Sequence, residues 1–163
     1  MVERVFGNMD ISVVLGPYDD SKIDLVVKSK AIPLGLDSGS ILGTGGTPGG
    51  LGITVQEAST VDNITFWPGI TIKDANRRAS IYSTAKGALD EAERLESKSI
   101  GFFTLGLEVS GVPSWEVAEE IMKAIHAHSK GNHNLKQVLI VASSPTQVSS
   151  FNYVMDNVSI ITS

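Results

Sequence analysis

The chain of 163 residues is 42% hydrophobic, contains no cysteine and carries a formal charge of −5. This length suffices for one well-packed core and is short for two, so we expect a single domain over residues 1–163. The absence of cysteine excludes disulfides and thiol catalysis, and the acidic balance disfavours duplex DNA as a partner.

The first residues of the chain bear on the cellular location of the protein. The first ten residues, MVERVFGNMD, lack the apolar run of a signal peptide, and no stretch approaches membrane-spanning length. We therefore expect a cytoplasmic protein without a membrane partner.

Short apolar runs in the first half predict strands. Residues 2–6 and 11–15 are β-branched runs separated by a turn, and residues 23–27 (IDLVV) have the continuous apolar character of a central strand. Residues 61–67 alternate in polarity and predict a further strand. A second short strand is predicted at residues 70–72.

The second half alternates helices with strands, which predicts an α/β fold with a mixed, largely parallel sheet. Apolar residues recur every three or four positions in the predicted helices, at 74–96 with Asp74 as N-cap, 113–129 with Ser114 as cap, and 146–155. The predicted strands are 99–104, 137–142 and 158–161, and residues 105–113 are predicted as a loop.

Glycine is concentrated in one segment: residues 35–52, GLDSGSILGTGGTPGGLG, hold eight of the sixteen glycines. Such density is typical of positive φ angles or of close approach of a ligand to the main chain. Residues 51–59 predict a short helix, so the loop would present backbone N–H groups and a helix N-terminus to an anion such as a phosphate. A surface loop without a ligand is the alternative.

The order and spacing of these segments, from about residue 11 to residue 154, resembles the macro domain family. The better matches are Gly16, Ile23, Asp24, Val26 and Val27; then Gly45, Gly46, Gly50, Leu51 and Ala58; then Leu105, Gly106, Val109, Gly111 and Pro113. The closing segment LKQVLIVASSPTQVSSFNYVM also fits the family's last strand and helix. The resemblance implies a three-layer α/β/α fold with a mixed central sheet.

The resemblance also implies a ligand, ADP-ribose or a related nucleotide, in a cleft at the carboxyl ends of the strands. Two glycine loops, residues 43–52 and 105–111, would clasp it. The implied binding residues are Gly43, Gly45, Gly46, Gly49, Gly50 and Leu51 in the first loop, and Gly106, Leu107, Val109, Ser110 and Gly111 in the second. Ser143 and Ser144 follow the last main strand, where they either contact the ligand or cap the next helix.

Several positions depart from the family pattern. Pro17 stands where the family carries the aspartate for the adenine amino group, which makes Asp19 and Asp20 the base-side candidates. Asp37 is the polar residue nearest to the family's asparagine. Glu108 replaces a common glycine and brings a carboxylate toward the implied phosphate seat. Asp37 and Glu108 are the candidate catalytic residues.

Other polar and aromatic residues have simpler interpretations. His126 and His128 lie two apart on a predicted helix, on different faces, so we expect no metal site, and we expect no resident cofactor. Arg77 and Arg78 would either meet a phosphate or form the polar first turn of a helix. The two tryptophans would either stack on a base or belong to the core or a lid.

Three functions remain open from the sequence. The first is a binding module for ADP-ribose or a related nucleotide, and the second is a hydrolase that removes ADP-ribose or a phosphate. The third is a scaffold that has lost nucleotide binding and serves homo-oligomerisation or protein interaction.

Overall fold

The computed structural model describes residues 2–29, 32–33, 54–55 and 63–161. The strands within these ranges are β1 (Val2–Phe6), β2 (Met9–Leu15), β3 (Leu25–Ser29), β4 (Ile32–Pro33), β5 (Thr54–Val55), β6 (Asn63–Trp67), β7 (Ser99–Phe103) and β8 (Gln137–Ala142). The helices are α1 (Arg77–Arg94), α2 (Leu105–Val109), α3 (Ser114–Ser129) and α4 (Pro145–Ile161).

The central sheet has six described strands in the order β1-β2-β8-β7-β3-β6. β1 runs antiparallel to β2, and every other neighbouring pair is parallel. β4 and β5 form a separate antiparallel pair. This topology confirms the predicted α/β class with a mixed, largely parallel sheet. It also brings the carboxyl ends of β2, β8, β7 and β3 to one edge.

Burial along the strands follows their place in the sheet. In β2 the buried residues Met9, Ile11 and Val13 alternate with more exposed ones, as expected for a strand next to the edge strand. In β3 residues 25–28 are all buried, as expected for a strand that lies between two others inside the sheet.

Three long helices cover one face of the sheet. Each buries a stripe of residues three or four apart, and α3 packs between α1 and α4. The stripes include Ile81, Ala85, Leu89 and Ala92 in α1, Val117, Ile121 and Ile125 in α3, and Phe151, Val154, Met155 and Val158 in α4.

Four predicted elements were wrong. Residues 70–72 form no strand, because the Ile70 N–H donates to the Pro68 carbonyl in a turn. Residues 158–161 continue α4, since Val158 extends the buried stripe by one turn. Residues 105–109 of the predicted loop form α2. Residues 54–55 of the predicted short helix form β5.

Two predicted caps were also wrong. α1 begins at Arg77 after Asn76, while the Asp74 carboxylate accepts a hydrogen bond from the Thr71 N–H at 2.8 Å. α3 begins at Ser114 itself, and the preceding Pro113 supplies only its carbonyl.

No helix in the part of the chain that the structure describes has the length and apolar content needed to cross a bilayer.

Candidate functional site

A cleft of about 420 Å³ opens at the carboxyl edge of the sheet. Its walls are residues 16–18 after β2, Lys28 of β3, residues 103–105 after β7 and residues 141–143 at the end of β8. The central strands of a parallel sheet end here, which is the usual place for ligands in open α/β folds. We refer to the Lys28 wall as the β3 side and to the Ser143 wall as the β8 side.

Gly16 lines the cleft where β2 ends. Its N–H donates to the Ala142 carbonyl at 2.8 Å, which continues the pairing of β2 with β8. A Cβ at this position would lie 2.9 Å from Cγ1 of Val141, closer than side chains tolerate. Glycine avoids this contact with the Val141 side chain, and Pro17 then ends the ladder.

A buried ion pair forms the β3 side. The Lys28 side chain is 3% exposed, and its Nζ lies 3.1 Å from Oδ2 of Asp20 and 4.6 Å from the centre of the Phe103 ring. Asp20 is 6% exposed. A charge at such depth is tolerated only when it is paired, so the ammonium is compensated within the protein.

The Ser143 hydroxyl lies on the β8 side and is bonded to a carboxylate that is not among the lining residues. The Ser143 hydroxyl donates to Oε2 of Glu108, and both residues are half-buried. The Ser143 Oγ also lies 2.9 Å from Oε1 of Gln147, and the Ser143 backbone N–H donates to that same oxygen at 2.8 Å. The hydroxyl and the amide of Ser143 are thus both directed at acceptors.

Gln147 is the fully buried centre of this polar network. Its Oε1 also accepts a hydrogen bond from the Thr104 hydroxyl at 2.6 Å, and Thr104 is itself fully buried. The Gln147 Nε2 is buried and has no hydrogen-bond partner among the described residues. Gln147 therefore ties the end of β7 to the end of β8 and fixes Ser143.

The predicted second glycine loop contains α2, and several of its backbone N–H groups donate to carbonyls of the same segment. The N–H groups of residues 108, 110, 111 and 112 donate to the carbonyls of residues 104, 106, 108 and 107, at 2.9–3.2 Å. Gly111, with a φ of +88°, ends the helix in a Schellman arrangement. These four amides therefore donate within their own segment.

The structure describes only some of the predicted binding residues, and those differ in burial. Gly43, Gly45, Gly46, Gly49, Gly50 and Leu51 lie outside the described residues, as does the catalytic candidate Asp37. Of the second loop, Gly106 and Leu107 are buried, Ser110 is half-buried, and Val109 and Gly111 are exposed. Ser143 lines the cleft.

Ser144 and Asp19 each accept a local hydrogen bond. The Ser144 hydroxyl oxygen accepts from the Gln147 N–H at 3.2 Å, which caps α4. Oδ1 of Asp19 accepts from the Ser21 N–H at 2.9 Å, and this bond holds the pKa of the exposed Asp19 below its usual range. Both residues therefore have a structural partner close in sequence.

The arginines and tryptophans that the sequence offered as ligand contacts have other partners within the protein. Arg77 binds the buried Glu116 of α3 through two bonds of 2.7 and 2.9 Å, and Arg78 pairs with two further carboxylates of α3. Trp67 is buried and donates to the Phe103 carbonyl at 2.9 Å. Trp115 is exposed beneath the Arg78 guanidinium.

Sequence reasoning missed three residues of the site: Lys28, Thr104 and Gln147. The signal for Lys28 was a cation directly after the apolar run LVV of residues 25–27. Such a residue is either at the sheet edge or buried against a counter-charge. The pattern gave no sign of the other two, because their pairing joins positions 43 apart in the chain.

Solved macrodomains match this structure over nearly its whole length. A mutant of the Oceanobacillus iheyensis macrodomain with ADPR matches with a TM-score of 0.68 at 15% identity, over 98% of each chain. The same macrodomain with ADP gives a TM-score of 0.65 at 15% identity, over 98% of this chain and 97% of that one.

A macrodomain of Trypanosoma brucei gives a TM-score of 0.59 at 16% identity, over 89% of this chain and 66% of the other. The sequence matches no protein-family model and no curated protein. The chain has the macrodomain fold, with a sequence that has diverged far from those structures, as the order of its segments predicted.

Proposed function

We propose that this chain binds ADP-ribose or a related nucleotide in the cleft at the carboxyl edge of its sheet. The observation that carries the proposal is the cleft itself, about 420 Å³, at the ends of β2, β8, β7 and β3. Its volume is in the range of small-molecule sites. Two solved structures with the same fold contain ADPR and ADP.

The apolar lining supports a bound base. Tyr18 is 48% exposed and Leu105 is 39% exposed, so both present contact surface to a ligand, and the buried Phe103 also lines the cleft. An aromatic ring beside a base contributes by stacking, without regard to the base's hydrogen-bonding pattern. Tyr18 is the residue from which we expect the largest contribution to affinity.

The charges of the cleft contribute little attraction for phosphate. Lys28 is already paired with Asp20, and Glu108 adds a negative charge on the β8 side. A like charge at ~4 Å costs roughly 1 kcal/mol in water and more in a drier site. Stacking and hydrogen bonds must therefore supply most of the affinity.

Titration calorimetry with ADP-ribose tests the proposal. We expect saturable heat at ligand concentrations up to millimolar, and the Tyr18→Ala variant should bind about tenfold more weakly through loss of stacking. Tyr153→Ala is the matched control, because Tyr153 is exposed on α4 and does not line the cleft. Absence of heat at millimolar ligand, or equal weakening by both variants, would contradict nucleotide binding in this cleft.

A scaffold without nucleotide binding is the second candidate, and one observation favours it. The amides of residues 108 and 110–112 are used within their own segment rather than presented to an anion. If calorimetry shows no binding, sedimentation velocity over a range of protein concentrations would test homo-oligomerisation. A monomer at every concentration would contradict that use of the fold.

A further inference from the structure

A second cavity, of about 570 Å³, lies on the face of the sheet opposite the three long helices. The buried residues of β2 are Met9, Ile11 and Val13, which belong to the core beneath those helices. Because side chains alternate along a strand, the residues between them face the cavity. Residues 18–23, which connect β2 to β3, form its other wall, and of the whole lining only Tyr18 also lines the cleft.

The floor of this cavity is apolar. Val14 and Leu139 are half-buried there, and both pack against a buried cluster that includes Ile23. The part of these side chains that is still exposed is in contact with water. A ligand with an apolar body would remove that surface from water, which favours its binding.

The rim of the cavity is polar and contains three charged residues. Asp19 and Lys22 act on each other: the pKa of Asp19 is held below its usual range first by hydrogen bonds from Ser21 and then by the charge of Lys22. The third charge, on the exposed Asp10, forms no ion pair with any residue that the structure describes. Asp10 is therefore the uncompensated group of the rim.

The spacing of the sheet places this carboxylate within reach of a ligand on the floor. Ser12 is the register partner of Leu139 in β8, and Asp10 precedes it by two residues on the same face. Two residues of a strand span about 7 Å, roughly the length of a small aromatic cation. The formal charge of −5 on the whole chain also favours a cation over an anion.

We propose that this cavity binds a small molecule with an apolar body and one cationic group, an amine or an amidine, and that Asp10 pairs with the cation. Val14 and Leu139 contact the apolar body, and Asp10 sets the preference for a charged ligand over a neutral one of the same shape. The cavity is separate from the proposed nucleotide cleft, so neither proposal depends on the other.

Benzamidine and benzamide are matched probes, because they share a shape and only benzamidine carries a charge. Titrations followed by ¹H–¹⁵N correlation NMR locate the bound probe. We expect saturable shifts at the amides of Ser12, Ser21 and Leu139, with a Kd of about 1 mM for benzamidine and about fourfold weaker binding of benzamide. The amides of Thr104 and Ser143, which line the cleft and not this cavity, should shift little.

Three variants test the role of each part. Asp10→Asn keeps the size of the side chain and should weaken benzamidine about fourfold, to the level of benzamide. Glu96→Gln is the control for net charge, because Glu96 is exposed and does not line the cavity, and it should change neither affinity. Ser12→Phe places a ring in the cavity and should weaken both probes at least about tenfold. Thermal unfolding of each variant confirms that the fold is kept.

A preference for benzamidine that is lost in Asp10→Asn and kept in Glu96→Gln would support the site. The proposal is wrong if the cavity amides show no saturable shift at millimolar probe, if the shifts are confined to the cleft, or if the two probes bind equally. An unchanged preference in Asp10→Asn would also contradict it. Calorimetry with ADP-ribose tests the cleft alone, so failure of this site leaves nucleotide binding standing.

Discussion

On each side of the cleft a lining residue is bonded to a carboxylate, and the two carboxylates have different partners. On the β3 side Asp20 is buried against the ammonium of Lys28 at 3.1 Å. On the β8 side Glu108 is half-buried and bonded to the neutral hydroxyl of Ser143. The charge of Asp20 is neutralised by Lys28, whereas the described partner of Glu108 is a neutral hydroxyl.

This difference separates carboxylates that are neutralised by a cation of the fold from a carboxylate whose described partner is neutral. The buried carboxylates between α1 and α3 are of the first kind, because Glu116 is bonded to Arg77 and Glu120 to Arg78. A compensated pair exerts little field on a ligand. Glu108 has a polar but neutral partner, so its charge remains available to repel or to accept.

The largest expected effect comes from breaking the β3 pair. Lys28→Met leaves Asp20 buried without a counter-charge, which should lower the free energy of unfolding by about 3 kcal/mol. Urea denaturation followed by circular dichroism measures the change. The double variant Lys28→Met/Asp20→Asn removes both charges and should recover most of the loss. A single variant as stable as the wild type would show that the pair is not structural.

A smaller loss is expected from the β8 network. Gln147→Leu places an apolar side chain in the fully buried position and removes the acceptor of the Ser143 N–H, whereas the Thr104 hydroxyl keeps the Val141 carbonyl as an acceptor at 3.2 Å. Leaving the Ser143 N–H unpaired costs about 2 kcal/mol. The control is Ser149→Leu on the exposed side of α4, expected within about 0.5 kcal/mol of wild type. Equal stability of the two variants by urea denaturation would contradict the role given to Gln147.

The smallest expected effect is on the stability of the protein at low pH. It concerns the carboxylate of Glu93, whose charge is stabilised by hydrogen bonds. Burial acts to raise the pKa of Glu93, but hydrogen bonds from the Asn134 N–H, from His128 and from the Leu135 N–H outweigh it and hold that pKa below its usual value. The folded state therefore gains stability from this carboxylate above about pH 4.3, the ordinary pKa of glutamate, and loses it as the pH falls through the lower folded value.

Glu93→Gln should remove this part of the acid dependence. Urea midpoints measured from pH 7 to pH 3 should fall less steeply for Glu93→Gln than for the wild type. Glu96→Gln, an exposed neighbour two residues beyond α1, should follow the wild-type curve. Parallel curves for wild type and Glu93→Gln would show that the hydrogen bonds to Glu93 do not shift its titration.

Periodicity predicted most of the fold. The central strands and the two long helices α1 and α3 lie where the apolar spacing indicated, with ends shifted by up to three residues. The errors fell on short apolar runs, where spacing cannot separate strand from helix. Residues 158–161 are an example, because Val158 continues a buried helical stripe instead of beginning a strand.

The site was less predictable than the fold. Ser143 was predicted from its place after a strand, and Glu108 from its departure from a family glycine. The partner of Glu108 was not predicted, because it comes from a segment 35 residues later. The Lys28–Asp20 ion pair was not predicted for a different reason. The sequence has two adjacent aspartates, Asp19 and Asp20, and no local pattern indicates which of them is buried.

By itself the sequence determined the α/β class, the order of segments typical of macrodomains and the position of the cleft at the strand ends. The class follows from local periodicity, whereas the place of the cleft was implied by the family resemblance and agrees with the geometry of parallel strands. Only the tertiary structure decided which charges are cancelled and which amides of the second loop are used. Hydrogen bonds and ion pairs between distant segments settle both, and no local pattern encodes them.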